Sequence, residues 1–268
     1  MPWTYGIVTT GSFSLIGISL IDTNAWAGGD VYVTGSGASS IGDDGRVWAG
    51  GSCRVGSLTC LEGMEPPQLA QVDWDAVRSA VVEHYLGHAE PVSCDVTYGG
   101  AHTLSGVTDA VVCLEPGASL VITGTATGAL VLGDRSTSVV VHAAVTPSAT
   151  RERLGIAVVA GDVEVVQGSS FAGVTTVVAA GDLAVSGALN AGTGPVETVL
   201  VTEGDVNVLY PPVDMAAIIQ ANGRVVVNGG GGSGTFSGAI IAGDGGIDVN
   251  ASRSLLQAEY GHFLAELW

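Results

Sequence analysis

One phrase recurs along the second half of this chain, and it constrains the fold more than any other feature. It reads Val158-Val-Ala-Gly-Asp-Val-Glu-Val165, then Val178-Ala-Ala-Gly-Asp-Leu-Ala-Val185 and Val201-Thr-Glu-Gly-Asp-Val-Asn-Val208. Looser copies are Gln220-Ala-Asn-Gly-Arg-Val-Val-Val227 and Ile241-Ala-Gly-Asp-Gly-Gly-Ile-Asp-Val249. The marker glycines Gly161, Gly181, Gly204 and Gly223 are 20, 23 and 19 residues apart, and Gly243 follows after 20 more. A period near 20 residues means a solenoid, because each unit can bury its apolar side only against its neighbours. The apolar-x-apolar triplet after each glycine sends alternate side chains to one face, as a strand does. The chain is therefore predicted to be all-β: a right-handed parallel β-helix of about 20 residues per coil. In the predicted turns, Gly supplies positive φ and Asp bonds nearby backbone amides.

The N-terminal part carries degenerate versions, Ala27-Gly-Gly-Asp-Val-Tyr-Val-Thr-Gly35 and Asp44-Gly-Arg-Val-Trp-Ala-Gly-Gly51. Glu115-Pro-Gly-Ala-Ser-Leu-Val-Ile-Thr-Gly124 is another, so the β-helix is expected to span residues 1–250. Residues 66–88 break the pattern. Leu69, Val72, Val77, Val81 and Tyr85 approximate helical spacing, Asp73 and Asp75 suit an early turn, and Gly87 suits a stop. One inserted helix is predicted near 68–87, lying on the solenoid flank or over an open end. A second helix is predicted over 251–268, through Leu255, Leu256, Phe263, Leu264 and Leu267, as a C-terminal cap sealing the last coil. Residues 228–234, Asn-Gly-Gly-Gly-Gly-Ser-Gly, read as a flexible turn.

The formal charge is −18, with 26 acidic and eight basic residues, every basic one an arginine. Such a surface repels phosphate backbones and anionic lipid, so nucleic-acid binding is not expected. No apolar run reaches the ~18 residues of a membrane span, so none is expected in this chain. The opening Met-Pro-Trp-Thr-Tyr-Gly lacks the basic and apolar regions of a secretory signal. Four cysteines, Cys53, Cys60, Cys94 and Cys113, are an even number without a C-x-x-C pair. That suggests two disulfides in an extracellular or cell-surface chain, with three connectivities open. Cys53–Cys60 would close a short loop, and Cys94–Cys113 would tie the two sides of a turn.

The order Pro66-Pro67, then Val72-Asp-Trp-Asp-Ala-Val-Arg78 on a helix, then short Gly-Asp strands resembles the solenoid domain of bacterial pilus-assembly (PilX-like) proteins. The coils are also similar to those of bactofilins, the polymer-forming β-helix proteins. The resemblance implies a surface or filament component without catalysis, whose partners are other protein subunits of the assembly, including copies of itself. It departs at the start, where pilus-associated relatives carry a membrane-spanning pilin-like helix.

Catalysis has a weaker case. Parallel β-helices also host polysaccharide-cleaving enzymes, whose sites need converging carboxylates. Asp162, Asp182 and Asp205 occupy equivalent places on successive coils, with Arg224 next, and turn chemistry accounts for them. Asp43-Asp44 is the sole acidic doublet. His84 and His88 lie four apart with Glu83 and Glu90 nearby, but Tyr85 stands where a metalloprotease helix has Glu. His102, His142 and His262 are isolated. No catalytic or cofactor-binding residue is therefore assigned. The metal question rests on Gly243–Asn250, one copy of a pattern that calcium-binding β-rolls need in tandem. Thr123-Gly-Thr-Ala-Thr127 is a single row of the kind ice binding needs stacked, and no vertical partners for it are evident in the sequence. The predicted function is a non-catalytic extracellular structural component, such as a subunit or accessory protein of a pilus or surface filament. The alternative is a polysaccharide-binding or polysaccharide-cleaving β-helix, with Trp3, Trp26, Trp48 and Tyr32 as the aromatics to watch.

Overall fold

The computed structural model describes residues 6–21, 24–34, 40–41, 46–56, 59–65, 68–87, 91–151, 153–186, 197–209, 215–229 and 234–256. These form an all-β parallel solenoid of about 10 turns and ~20 residues per coil with a single helix. Every strand pairing is parallel, but the coils do not stack in chain order. On one face the strands run Val96–Tyr98, Val111–Leu114, Ala129–Leu132, Leu154–Ala160, Val174–Ala179, Thr198–Thr202, Met215–Ala221 and Gly234–Ala242. The next rung is not further along the chain. It is Ile7–Thr9, followed by Ala25–Ala27, Val47–Ala49 and Cys60–Leu61. The second face repeats the order, with Ile247–Leu256 pairing with Phe13–Ile21.

The C-terminal coil therefore lies inside the stack, between the coil before it and the N-terminal coil. Of the helical cap expected over 251–268, this corrects only residues 251–256, which are strand. They continue the strand Ile247–Leu256, with Arg253–Leu256 paired against Ile18–Ile21. Residues 257–268 lie outside those described. The true stack ends are the coils at 53–61 and 95–108. Each carries a disulfide, Cys53–Cys60 and Cys94–Cys113, with Cα atoms 6.5 and 5.8 Å apart.

Inside, the second face supplies columns such as Val163–Leu183–Val206–Val225–Ile247–Phe13–Val31, all buried. Its strands alternate, as in Asp162–Val165 with exposed Asp and Glu between buried valines. The first face does not alternate: all seven residues of Leu154–Ala160 are buried. A strand covered on both sides reads as a continuous apolar run, and the cover is helix α1, Trp74–Leu86. Val77, Val81 and Val82 pack on outward side chains from Val111, Leu130, Ala157, Val178 and Val199. Thirteen residues at ~1.5 Å each reach ~20 Å, which matches the four steps of ~4.8 Å between those five coils.

Helix α1 thus lies along the flank and carries the chain back from one stack end to the other. Asp73 caps it by accepting the amides of Asp75 and Ala76, both at 3.1 Å. Gly87 ends it at φ 71°. The linker before it is pinned to coil edges: Asn222 accepts the Val72 amide at 2.6 Å and donates to its carbonyl at 2.8 Å. Glu203 accepts the Trp74 amide at 2.9 Å and the Arg135 guanidinium, which lies 5.1 Å over the Trp74 ring and also reaches Asp75. Among the described residues, no helix is long and apolar enough to cross a membrane.

Candidate functional site at the seam between chain ends

The acidic column is present, and it has a structural job. Register places Asp162, Asp182, Asp205 and Arg224 one above another. Asp182 accepts the amide of Asp205 at 2.9 Å, and Asp205 accepts that of Arg224 at 2.7 Å. The column continues beyond the seam, where Ser12 accepts the Asp30 amide at 2.9 Å and Asp30 accepts that of Ser52 at 2.8 Å. The Ser52 amide and hydroxyl together hold the Asp30 carboxyl below its ordinary range. The carboxylates of Asp182, Asp205 and Asp30 each serve the next coil, where an Asx turn would have them serve their own.

The glycine reading needs a matching correction. None of Gly161, Gly181, Gly204, Gly223 and Gly243 has positive φ. They are small because the neighbouring coil passes too close for a Cβ. An added Cβ would fall under 3.0 Å from Arg135 O, Asp162 Oδ1, Gly181 O, Asp205 Oδ1 and Asn222 O respectively. Gly-Asp recurs because the Gly of one coil makes room for the Asp of the coil beneath it.

At the seam the outer surface of the second face forms an open groove of about 260 Å³, lined chiefly by Ser14, Ile16, Arg224, Asn228, Asp248 and Asn250. Two columns build it. One is Asn207–Val226–Asp248–Ser14–Tyr32, the other Leu209–Asn228–Asn250–Ile16–Thr34. Leu209, Ile16 and Tyr32 at its margins are 41%, 41% and 45% exposed, unusual for large apolar or aromatic groups on this surface. The groove carboxylate, Asp248, is paired with Arg224. Amide groups, one ion pair and flanking apolar surface suit binding of a neutral polar ligand. Acid–base cleavage of a glycosidic bond needs two carboxylates across the scissile bond, and this groove is lined by one.

The remaining predicted residues disperse. Cys53, Cys60, Cys94 and Cys113 pair at the stack ends. Trp26 and Trp48 stack on the first face, with ring centroids 5.4 Å apart, while Tyr32 is on the second, so they line no common groove. Trp3, Asp43, Asp44, His88, Glu90 and His262 lie outside the described residues. The His84 ring packs edge-on against Tyr85 at 4.7 Å, and His102 lies 4.4 Å from Tyr98 on the end coil. In the calcium-like segment, Asp244 accepts the Thr10 hydroxyl across the seam at 2.7 Å and Asp248 is held by Arg224. No group of three His, Cys, Asp or Glu among the described residues is disposed to hold a metal ion. In the threonine row only Thr127 has threonines in register, lying between Thr108 and Thr146 and bonding the latter at 2.6 Å, while Thr123 meets Ser105 and His142. Sequence reasoning missed Ile16, Leu209, Asn228 and Asn250 as one column: Ile16 joins the other three only where coils more than 200 residues apart meet at the seam.

No family model and no curated protein matches the chain, so the pilus-assembly and bactofilin resemblances rest on the residues quoted for them. Among solved structures, the crystal structure of an ice-binding protein from the Antarctic ascomycete Antarctomyces psychrotrophicus aligns over 96% of this chain and 95% of that one. The identity is 13% and the TM-score 0.34.

Proposed function

We propose that the protein is a non-catalytic extracellular structural component, serving as a subunit or accessory protein of a pilus or other surface filament. The observation that carries this reading is the pair of disulfides, one at each physical end of the stack. Disulfides persist in oxidising compartments, and bonds at both ends suit a rod whose ends must not fray. The carboxylates of the recurring Gly-Asp corners act as amide caps, a structural use. The test is immunogold electron microscopy on source cells, with and without calcium. Label on the surface or along appendages is expected, and label confined to the cytoplasm overturns the reading.

A second reading, polysaccharide binding, is favoured by the seam groove with its amide column and flanking Tyr32. It predicts a glycan-array signal that Asn250→Ala and Tyr32→Ala both abolish. A blank array overturns it.

A further inference from the structure

The two stack ends are built differently, and the difference bears on what each can meet. At the 53–61 end the strands Cys53–Arg54 and Cys60–Leu61 have two residues each. The outward amide of Cys53 is already taken by the Glu62 carboxylate at 2.8 Å. Short edges and a charged side chain over the free amide are how natural sheets refuse a further strand.

The other end is less blunted: its strand Val96–Tyr98 is short, but its second strand is long, and its register shifts only between Ser105 and Val107. Ala101–Thr108 is an eight-residue strand, and among the described residues no strand pairs on its outer side. The Gly100 carbonyl accepts from Ser119, and the Leu104 carbonyl from the Thr123 hydroxyl, so these even positions face the stack. Alternation turns the N–H and C=O of Ala101, Thr103 and Ser105 to the free edge. From 96 to 108 there is no Asp, Glu, Lys, Arg or Pro. The flanking carboxylates are engaged within the stack, Asp95 by the Val111 amide at 2.7 Å and Asp109 by the Ser148 and Thr150 hydroxyls at 2.6 and 2.9 Å. The inward side chains Val96, Tyr98 and Leu104 are only half-buried against the core.

We infer that the Ala101–Thr108 end is an interface for a second copy of this chain, joined head to head by antiparallel pairing of the two edges. A two-fold axis turns a parallel edge into an antiparallel partner of itself, with the same patch on both sides. The charge-free edge suits a copy of itself. Of the carboxylates nearby, Asp95 and Asp109 are engaged within the stack, and Glu115 lies beside Gly99, outside the Ala101–Thr108 strand. Pairing also brings the half-buried Leu104 side chains of two copies together over one extended core. Because the opposite end is blunted, end-to-end pairing stops at two, which fits an accessory protein of a filament better than its repeating subunit. This inference deepens the assembly role proposed above by naming its partner, and it rests on that reading.

The test is sedimentation velocity on the full chain, with Thr103→Pro as the variant. Thr103 lends no backbone bond to its own stack, so proline removes an edge donor and leaves the internal ladder intact; an unchanged melting temperature checks this. A dimer is expected that weakens at least tenfold in Thr103→Pro. Thr103→Glu, which places like charges across the axis, should weaken it too. Two chains of −18 meeting through uncharged edges should associate more tightly as salt screens them, whereas a carboxylate-driven contact would weaken. A strict monomer at all concentrations overturns the inference, as does a dimer indifferent to both variants or an open polymer that survives them. A monomer with the amides of 101–105 protected from exchange also overturns it, in favour of another segment of the same chain. Failure of the two proposals is distinguishable: dimers without surface label sink the assembly role alone, and surface label on a monomeric protein sinks the interface alone.

Discussion

Gly223→Ala tests the claim that marker glycines exist for close approach between coils. The new methyl would fall under 3.0 Å from Asp205 Oδ1 and 2.8 Å from Gly204 O. If Asp205 rotates away, it abandons the Arg224 amide, now 2.7 Å distant. At a solvent-reached site that hydrogen bond contributes about 1 kcal/mol. Easing the Gly204 carbonyl contact by a few tenths of an ångström adds roughly 1 kcal/mol of overpacking strain. Alanine restricts the unfolded chain and returns about 0.5 kcal/mol. The net expectation is a loss of about 1.5 kcal/mol, or roughly 3–5 °C in melting temperature for a chain of this size. The diagnostic is the double-mutant cycle with Asp205→Ala, read by equilibrium unfolding and by exchange at the Arg224 amide. Once Asp205 is truncated, the alanine meets only the Gly204 carbonyl, so its cost should fall by about 1 kcal/mol. Strict additivity of the two substitutions would refute the reasoning, as would a Gly223→Ala protein as stable as the parent.

Three further outcomes are expected. Val81→Ala, which empties a fully buried site between helix α1 and the first face, should cost about 2 kcal/mol; an effect under ~0.5 kcal/mol in urea unfolding would mean the helix is not docked there. The Arg135 guanidinium, by hydrogen bond, holds the Glu203 carboxyl below its ordinary value of 4.5. A depressed carboxyl pKa contributes stability that is whole above 4.5 and lost as pH falls through the folded value, so Arg135→Ala should lose that acid-dependent part while changing less near pH 3. Parallel pH–stability curves would contradict this. Reducing both disulfides should speed exchange around 53–61 and 94–113 and leave Leu154–Ala160 and Val174–Ala179 protected, because solenoid coils answer mainly to their neighbours. Uniform loss of protection would argue against ends that act locally.

The solenoid itself was legible from the 20-residue period, and the helix from Asp73, the valine spacing and Gly87. Two misreadings have physical causes. Glycine at a turn suggests positive φ, and only the stacking of Gly223 beside Asp205 shows that space is the requirement. The helix's docking face was written in the chain as the apolar runs at 154–160 and 199–201, set against alternating 162–165 and 206–209. Coil order was not legible. Every such alternating coil offers the same apolar-x-apolar ladder, so the pattern of Phe13-Ser-Leu does not record that it meets Ile247-Asp-Val. A cap was predicted at the C-terminus for that reason, and the seam groove could not be assembled from residues the sequence holds so far apart.

The out-of-order stack is tested most directly across the seam, where the Thr10 hydroxyl bonds the Asp244 carboxylate at 2.7 Å. A Thr10→Cys, Asp244→Cys chain should form a disulfide between these positions within one monomer under mild oxidation, identified by peptide mapping. A stack laid down in chain order would hold them more than ~40 Å apart at ~4.8 Å per coil. Two free, label-accepting thiols would therefore contradict the fold on which this account rests.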